Sequence, residues 1–283
     1  MEAKKLLGIV ASYRRIGNSE IVVKAVAELL RPQWQLSLVR LPQLRVLPCK
    51  GCFACLMPNK DCNIEDDVGW LLDRLKESDG IVFASPNYLM GPVGCVKMLA
   101  DRSFQAYKYF DILREKRTAV ALTLGSEEYR GYSDTLLASQ VSSLGLKIVS
   151  LECFYGRQPG MCLMAKDFEE KIGRLARSIE GEKTAESTPP NRCPFCRSDL
   201  FRVRAEGIEC AICKSLAEID GDKLTFSFQN PEFTQAGKIK HMDKLLSEKE
   251  QQDSIKAQLK EIQYRYREGN WLTPGTSTFN KRD

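Results

Sequence analysis

The chain has 283 residues, with 42 Lys and Arg against 37 Asp and Glu and a net charge of +5. That length exceeds what one core usually organises, so a main domain with smaller modules is expected. The charge is spread without a polybasic block, which argues against nucleic-acid attraction, and no apolar run approaches the roughly 20 residues of a membrane-spanning helix.

From Lys5 to about Glu180 short β-branched runs alternate with amphipathic stretches, the pattern of βα units around a parallel sheet. The runs predict strands over Leu6 to Ala11, Gln35 to Leu41, Gly80 to Ser85, Thr118 to Leu124 and Lys147 to Phe154. Helices are expected to start near Ser19, Asp67, Gly94 and Ser133, and a fifth runs from Lys166 to Ile179, where Phe168, Ile172, Leu175 and Ile179 share one face. Residues 1–180 thus form an α/β domain carrying a cysteine loop over 48–64. A linker follows over 181–191, polar and interrupted by Pro189 and Pro190. A ribbon module over 192–228 ends in the alternating run Lys223 to Phe228. A helical tail over 229–283 places Leu245, Leu246, Ile255, Leu259 and Ile262 at partly helical intervals, with Tyr266 and Trp271 as anchors. The only histidine, His241, stands in that tail without a Ser or Cys partner and is given no catalytic role.

Directly after the first strand, Ser12-Tyr13-Arg14-Arg15-Ile16-Gly17-Asn18-Ser19 leads into a helix. Unpaired N–H groups at a helix start, completed by hydroxyl, amide and guanidinium groups, make a phosphate cradle. The segment lacks both G-x-G-x-x-G and G-K-[ST], so a monophosphate such as that of FMN is the better match than a dinucleotide or triphosphate. The third strand ends in Ser85-Pro86-Asn87-Tyr88-Leu89-Met90-Gly91-Pro92, at the sheet edge where such ligands bind. An ordinary capped turn is the plainer reading of the first loop taken alone.

Nothing at the start of the chain has the pattern of a secretory signal, so a cytoplasmic setting is expected, where eleven thiols point to metals or redox work. Cys49, Cys52, Cys55 and Cys62 have a spacing that suits an iron-sulfur cluster, with zinc and unliganded thiols as the alternatives. Cys193, Cys196, Cys210 and Cys213 form two C-x-x-C pairs thirteen residues apart, the spacing of a structural zinc ribbon, with iron as the alternative ion. Cys95, Cys153 and Cys162 read as small buried side chains.

Ser12 through Ser19, the first cysteine group, Asp66-Asp67, Ser85 through Tyr88, Lys97 and Asp101-Arg102 together resemble the iron-sulfur flavoprotein family of flavodoxin-like, NADPH-dependent FMN reductases. The resemblance covers roughly the first 180 residues. It implies a five-stranded sheet of order 2-1-3-4-5, FMN, and a [4Fe-4S] cluster on Cys49, Cys52, Cys55 and Cys62. By the same resemblance Ser12, Arg14, Asn18 and Ser19 hold the phosphate. Pro86, Asn87, Tyr88, Leu89, Met90 and Gly91 line the flavin, and Thr123, Gly125 and Ser126 cover its other side. The third loop departs from the Gly-Gly-rich form of those reductases. The implied activity is electron transfer between NAD(P)H or a ferredoxin and a small acceptor or partner protein. The alternatives are a cluster-free FMN or quinone reductase and a redox-sensing ribbon that binds protein or nucleic acid. A homo-oligomer, dimer or tetramer, is expected, because a cluster loop after the second strand stands apart from the flavin loops and a neighbouring subunit can bring the two together.

Overall fold

The computed structural model describes residues 3–57, 59–182, 191–205, 207–221 and 223–264. Five long parallel strands form the main sheet: β1 (Lys4–Val10), β2 (Trp34–Arg40), β3 (Gly80–Tyr88), β5 (Arg117–Leu124) and β6 (Lys147–Tyr155). Their order is β2-β1-β3-β5-β6, which is 2-1-3-4-5 when the long strands alone are counted. The helices are α1 (Asn18–Leu30), α2 (Val68–Glu77), α3 (Gly94–Asp101), α4 (Phe110–Leu113), α5 (Ser133–Ser143) and α6 (Phe168–Glu180).

Both faces of this sheet are covered, which is why its strands read as continuous apolar runs. Successive side chains alternate between two cores. Leu7, Ile9, Ile81, Phe83, Val120 and Leu122 join a cluster with Leu71, Leu75, Leu99, Leu137 and Val141. Leu6, Val10, Val82, Ala84, Ala119 and Ala121 face the opposite cluster, with Val22, Val23, Val26 and the α6 stripe Phe168, Ile172, Leu175 and Ile179. Gly8 is part of that second packing, because a Cβ there would lie 2.4 Å from a Val23 methyl carbon. Any side chain would push α1 off the sheet.

Strand β3 runs three residues beyond the expected end, to Tyr88, and folds back through Leu89 and Met90 onto the two-residue strand β4 (Gly91–Pro92). Both turn residues are left-handed, with φ of 49° and 60°. Two-residue hairpin turns of this hand normally use Asn and Gly, so the expectation of a simple loop here missed a strained hairpin.

Four further strands, β7 (Phe201–Arg204), β8 (Gly207–Cys210), β9 (Leu216–Asp220) and β10 (Lys223–Phe228), make a second, antiparallel sheet in the order β10-β9-β8-β7. Contacts bind this ribbon to α5 within one compact unit, Met1–Ile239. Arg192 donates to the fully buried Asp134, Arg130 and Thr135 each donate to Asp199, and Arg197 donates to the Val149 carbonyl. A second unit covers Lys240–Asp283. It holds the end of α7 (Gln235–Ser254) and α8 (Lys256–Tyr264), with Ile255, Leu259 and Ile262 exposed. Most of the expected linker, together with Tyr266 and Trp271, lies outside the described residues.

Candidate cofactor and metal sites

The first loop is shaped by charge. Ile16 takes a left-handed φ of 51°, and Gly17 then enters α1 in extended conformation, with no side chain capping the helix start. The leading amides of α1 therefore remain available to an anion. Glu20, in the first turn, accepts from the Ile16 amide at 2.9 Å, from Lys24 and from Arg40, each of those two at 2.6 Å. Burial would raise its pKa, but the hydrogen bonds from Lys24, Arg40 and the Ile16 amide outweigh this and bring it down to about 2. Arg40, at the end of β2, also donates to the Ser12 carbonyl at 2.7 Å and to that of Arg14 at 3.1 Å. It fixes the loop's curvature from a neighbouring strand.

A cleft of about 220 Å³ opens above this helix start. It is lined by Ser12, Arg14, Gly17, Asn18 and Ser19 from the first loop and by Pro86, Asn87 and Tyr88 from β3. Thr123 and Leu124 end β5 with Gly125 just after it, and Gly156 and Arg157 follow β6. Nine expected residues thus come together, whereas Leu89, Met90, Gly91 and Ser126 do not line the cleft. Leu89 stands 97% exposed at the hairpin tip, so it presents an apolar surface outward. The Ser126 hydroxyl is buried without a hydrogen-bond partner among the described residues.

Hydrogen bonds hold four of these side chains. Asn18 donates to the Gly156 carbonyl at 2.7 Å and accepts from the Gly160 amide at 2.8 Å, so its side chain ties the loop after β6 to α1. Ser19 and Thr123 share a buried hydroxyl bond of 2.8 Å between the first and third loops. Asn87 donates to the Tyr129 carbonyl at 2.7 Å and accepts from Ser133 at 2.6 Å, which anchors the hairpin to the start of α5. These contacts build the walls, and Ser12 accepts from the Arg14 amide at 3.2 Å while Arg14 donates to the Arg157 carbonyl at 3.3 Å along the remaining lining. Gly156 and Arg157 had a signal in the sequence, since they follow the fifth strand at the sheet's ligand-binding edge. Gly156 is tightly placed, because a Cβ there would lie 2.7 Å from the Cys162 amide. Two arginines, a helix start and the absence of any carboxylate from the lining fit the phosphate of a flavin nucleotide.

Cys49 and Cys52 are exposed, and Cys55 and Cys62 are half-buried, on a loop closed at its base by two adjacent carboxylates. Asp67 accepts from the Arg45 amide at 2.6 Å. Asp66 accepts from the amides of Leu47 and Val68 and from Arg102, and the Asp66 and Arg102 side chains are each only 1% exposed. Arg102 also donates to the Leu47 carbonyl at 2.7 Å and to the Cys62 sulfur at 3.4 Å. Burial opposes ionisation of Asp66, but Arg102 and the two amides hold its carboxyl below the usual range. Asp66, Asp67 and Arg102 are thus the clasp of the cysteine loop, whereas Asp101 pairs with Lys97 on the exposed side of α3. Burial first, and then the charges of Cys62, Cys49 and Cys52, push the Cys55 thiol up to about 11. Among the described residues the four loop sulfurs do not converge on one point as those of the ribbon do.

The ribbon cysteines do gather. Their four sulfurs lie within 4.8 Å of one another, with Cys193 to Cys213 at 3.5 Å and Cys196 to Cys210 at 3.4 Å. A zinc tetrahedron with bonds of about 2.3 Å needs edges of roughly 3.8 Å, so the set fits one ion after small adjustment. Hydrogen bonds from Cys193, Cys210 and Cys213, with burial, push the Cys196 thiol up, and its three neighbours pull Cys210 down against burial. Four packed thiols share protons in this way until a cation replaces them.

The profile of the NADPH-dependent FMN reductase family matches residues 4–153, more than half of the chain. An iron-sulfur flavoprotein of Methanocaldococcus jannaschii is 32% identical over 133 residues, which cover 47% of this chain and 67% of that protein. One from Archaeoglobus fulgidus is 31% identical over 150 residues, 51% of this chain and 73% of that protein. Among solved structures, a flavone reductase superposes with a TM-score of 0.68 at 19% identity, covering 95% of this chain and 99% of its own, a likeness of fold. With the sheet order, the cleft at its carboxyl edge and this match in hand, the chain belongs to the NADPH-dependent FMN reductase family and is a flavin-dependent oxidoreductase.

Proposed function

We propose that the protein passes electrons from NAD(P)H or a ferredoxin-type donor, through FMN and a [4Fe-4S] cluster, to a small acceptor or partner protein. Bound FMN would exchange electrons in pairs and the cluster singly, which is the chemistry neither the sheet nor the ribbon has of its own. The cleft lined by Ser12, Arg14, Ser19, Tyr88, Thr123 and Arg157 carries the reading. Arg14 and Arg157 would neutralise the phosphate, Ser12 and the α1 amides would bond it, and Pro86, Tyr88 and Gly125 would flank the ring. Cys49, Cys52, Cys55 and Cys62 would hold the cluster, and Cys193, Cys196, Cys210 and Cys213 would hold zinc. The iron-sulfur flavoprotein names of the archaeal relatives support the cluster.

The working form would be a homo-oligomer in which one subunit's cysteine loop approaches the next subunit's flavin. The exposed apolar tip of Leu89 and Met90, beside Tyr88 and Tyr132, supports a covered rim. A cytoplasmic location goes with this chemistry, and no described helix is long and apolar enough to cross a membrane.

Anaerobic isolation tests the whole reading. One flavin and about four irons per chain in addition to zinc are expected, with bleaching of the visible spectrum on addition of NADPH or of reduced ferredoxin. Acceptors to compare are quinones, ferric chelates and flavone, the last because a flavone synthase of Aspergillus candidus aligns at 25% identity over 240 residues. Colourless protein that takes up no added FMN would overturn the proposal. A clean flavin spectrum with zinc but no iron would favour a cluster-free reductase, a second reading supported by the exposure of Cys49 and Cys52.

A further inference from the structure

A second cleft, of about 520 Å³, lies where the ribbon meets α5 and β6, and it shares no lining residue with the cleft above α1. Three aromatic rings line it: Tyr107 from the main domain, Phe195 from the first cysteine knuckle, and Phe233 just before α7. Phe195 and Phe233 remain 42% and 39% exposed, so their apolar faces are only partly satisfied by the fold. Three cations, Lys147, Arg197 and Lys238, share the lining with Cys196 and Cys213 of the ribbon site, and no carboxylate does. Lys238 is held by the Ser142 carbonyl at 3.2 Å, and neither it nor Lys147 has a carboxylate within salt-bridge reach among the described residues. Burial lowers the Lys238 pKa, and an anion beside it would favour its charged form.

Rings that stay partly exposed favour a flat apolar body, and two lysines without a carboxylate partner among the described residues favour an anionic group on its edge. A purely apolar ligand would leave the lysines unpaired. An inorganic anion would leave the rings bare. We propose that this cleft is a binding site for a small planar aromatic carboxylate, which stacks among Tyr107, Phe195 and Phe233 with its carboxylate toward Lys238 and Lys147. The site stands independently of the flavin reading, because it uses none of the same residues.

The test is calorimetric titration of the full-length, zinc-loaded protein with 2-naphthoate, with 2-naphthalenemethanol as the neutral analogue and inorganic phosphate as the ringless anion. Binding of naphthoate is expected at least about tenfold tighter than either control, which equals about 1.4 kcal/mol. Lys238→Gln and Phe233→Ala should each weaken it about tenfold, while Arg14→Gln, in the other cleft, leaves it unchanged. Lys147→Gln, an exposed change, serves as a second cation variant if Lys238→Gln alters the melting temperature. Absence of naphthoate binding, equal binding of the neutral analogue, loss in Arg14→Gln, or indifference to both lysine changes would each overturn the proposal.

Discussion

The two cysteine groups hold four thiols each, yet they stand in opposite relations to the fold. In the ribbon the cysteines are the core: Cys193, Cys210 and Cys213 are its buried centre, with Cys196, Phe201, Ile212 and Phe226 packed around them. A module with so little apolar surface depends on its ion for most of its folding energy. The loop cysteines contribute nothing to a core. They hang from a sheet that is already complete, in a loop closed by the Asp66–Arg102 clasp. In one region a metal would make the structure, and in the other the fold would position the ligands of a cluster.

The sharpest way to break this contrast is Cys210→Ser. A structural zinc site carries on the order of 10 kcal/mol of folding free energy, so this variant should lose one zinc per chain and amide-exchange protection throughout β7 to β10, with the main sheet still protected. Retained ribbon protection without metal would refute the first half of the comparison.

Asp66→Asn comes next. Removing one partner of a buried ion pair costs about 3–5 kcal/mol, and Arg102 would be left among the Leu47 carbonyl and the Cys62 sulfur. Thermal denaturation should show that loss, and the cysteine loop should become the preferred site of proteolysis. The same clasp sets an acid limit. Because Asp66 is held below its ordinary value, its stabilisation is complete above roughly pH 4 and is lost as pH falls through the lower folded value. Acid-induced loop opening should therefore begin below about pH 4 in the wild type and be absent as a separate step in Asp66→Asn, which proteolysis at graded pH would follow.

Ser133→Ala probes the brace between α5 and the β3–β4 hairpin. It removes a hydrogen bond of 2.6 Å to Asn87, worth about 1 kcal/mol. FMN affinity should fall several-fold in fluorescence titration, with the ribbon's metal content unchanged. An unaltered dissociation constant would show that the Tyr129 carbonyl alone positions Asn87.

The smallest effect on stability belongs to Cys52→Ala. Iron content should fall sharply, while the melting transition of the sheet moves by no more than about 2 °C, as for surface changes away from a core. A large shift would mean that the cluster braces the sheet, and the second half of the comparison would fail.

Local order was sufficient to specify the alternating strands, the α6 stripe, both cysteine groups and the first loop, because each rests on spacing within a few residues. The apolar runs of β1, β3 and β5 announced a sheet covered on both faces, and the two C-x-x-C pairs announced a closed site. Folding decided what distant residues do for one another. Arg40 reaches back from β2 to shape the first loop, and Asn18 turns its side chain to Gly156, 138 residues away. Arg102 closes a loop 36 residues before it, and the ribbon settles on α5 through Arg192 and Asp134. Such partnerships depend on which strand ends lie side by side and which charges are left without water. Periodicity fixes the first only after the sheet is assembled, and it is silent on the second.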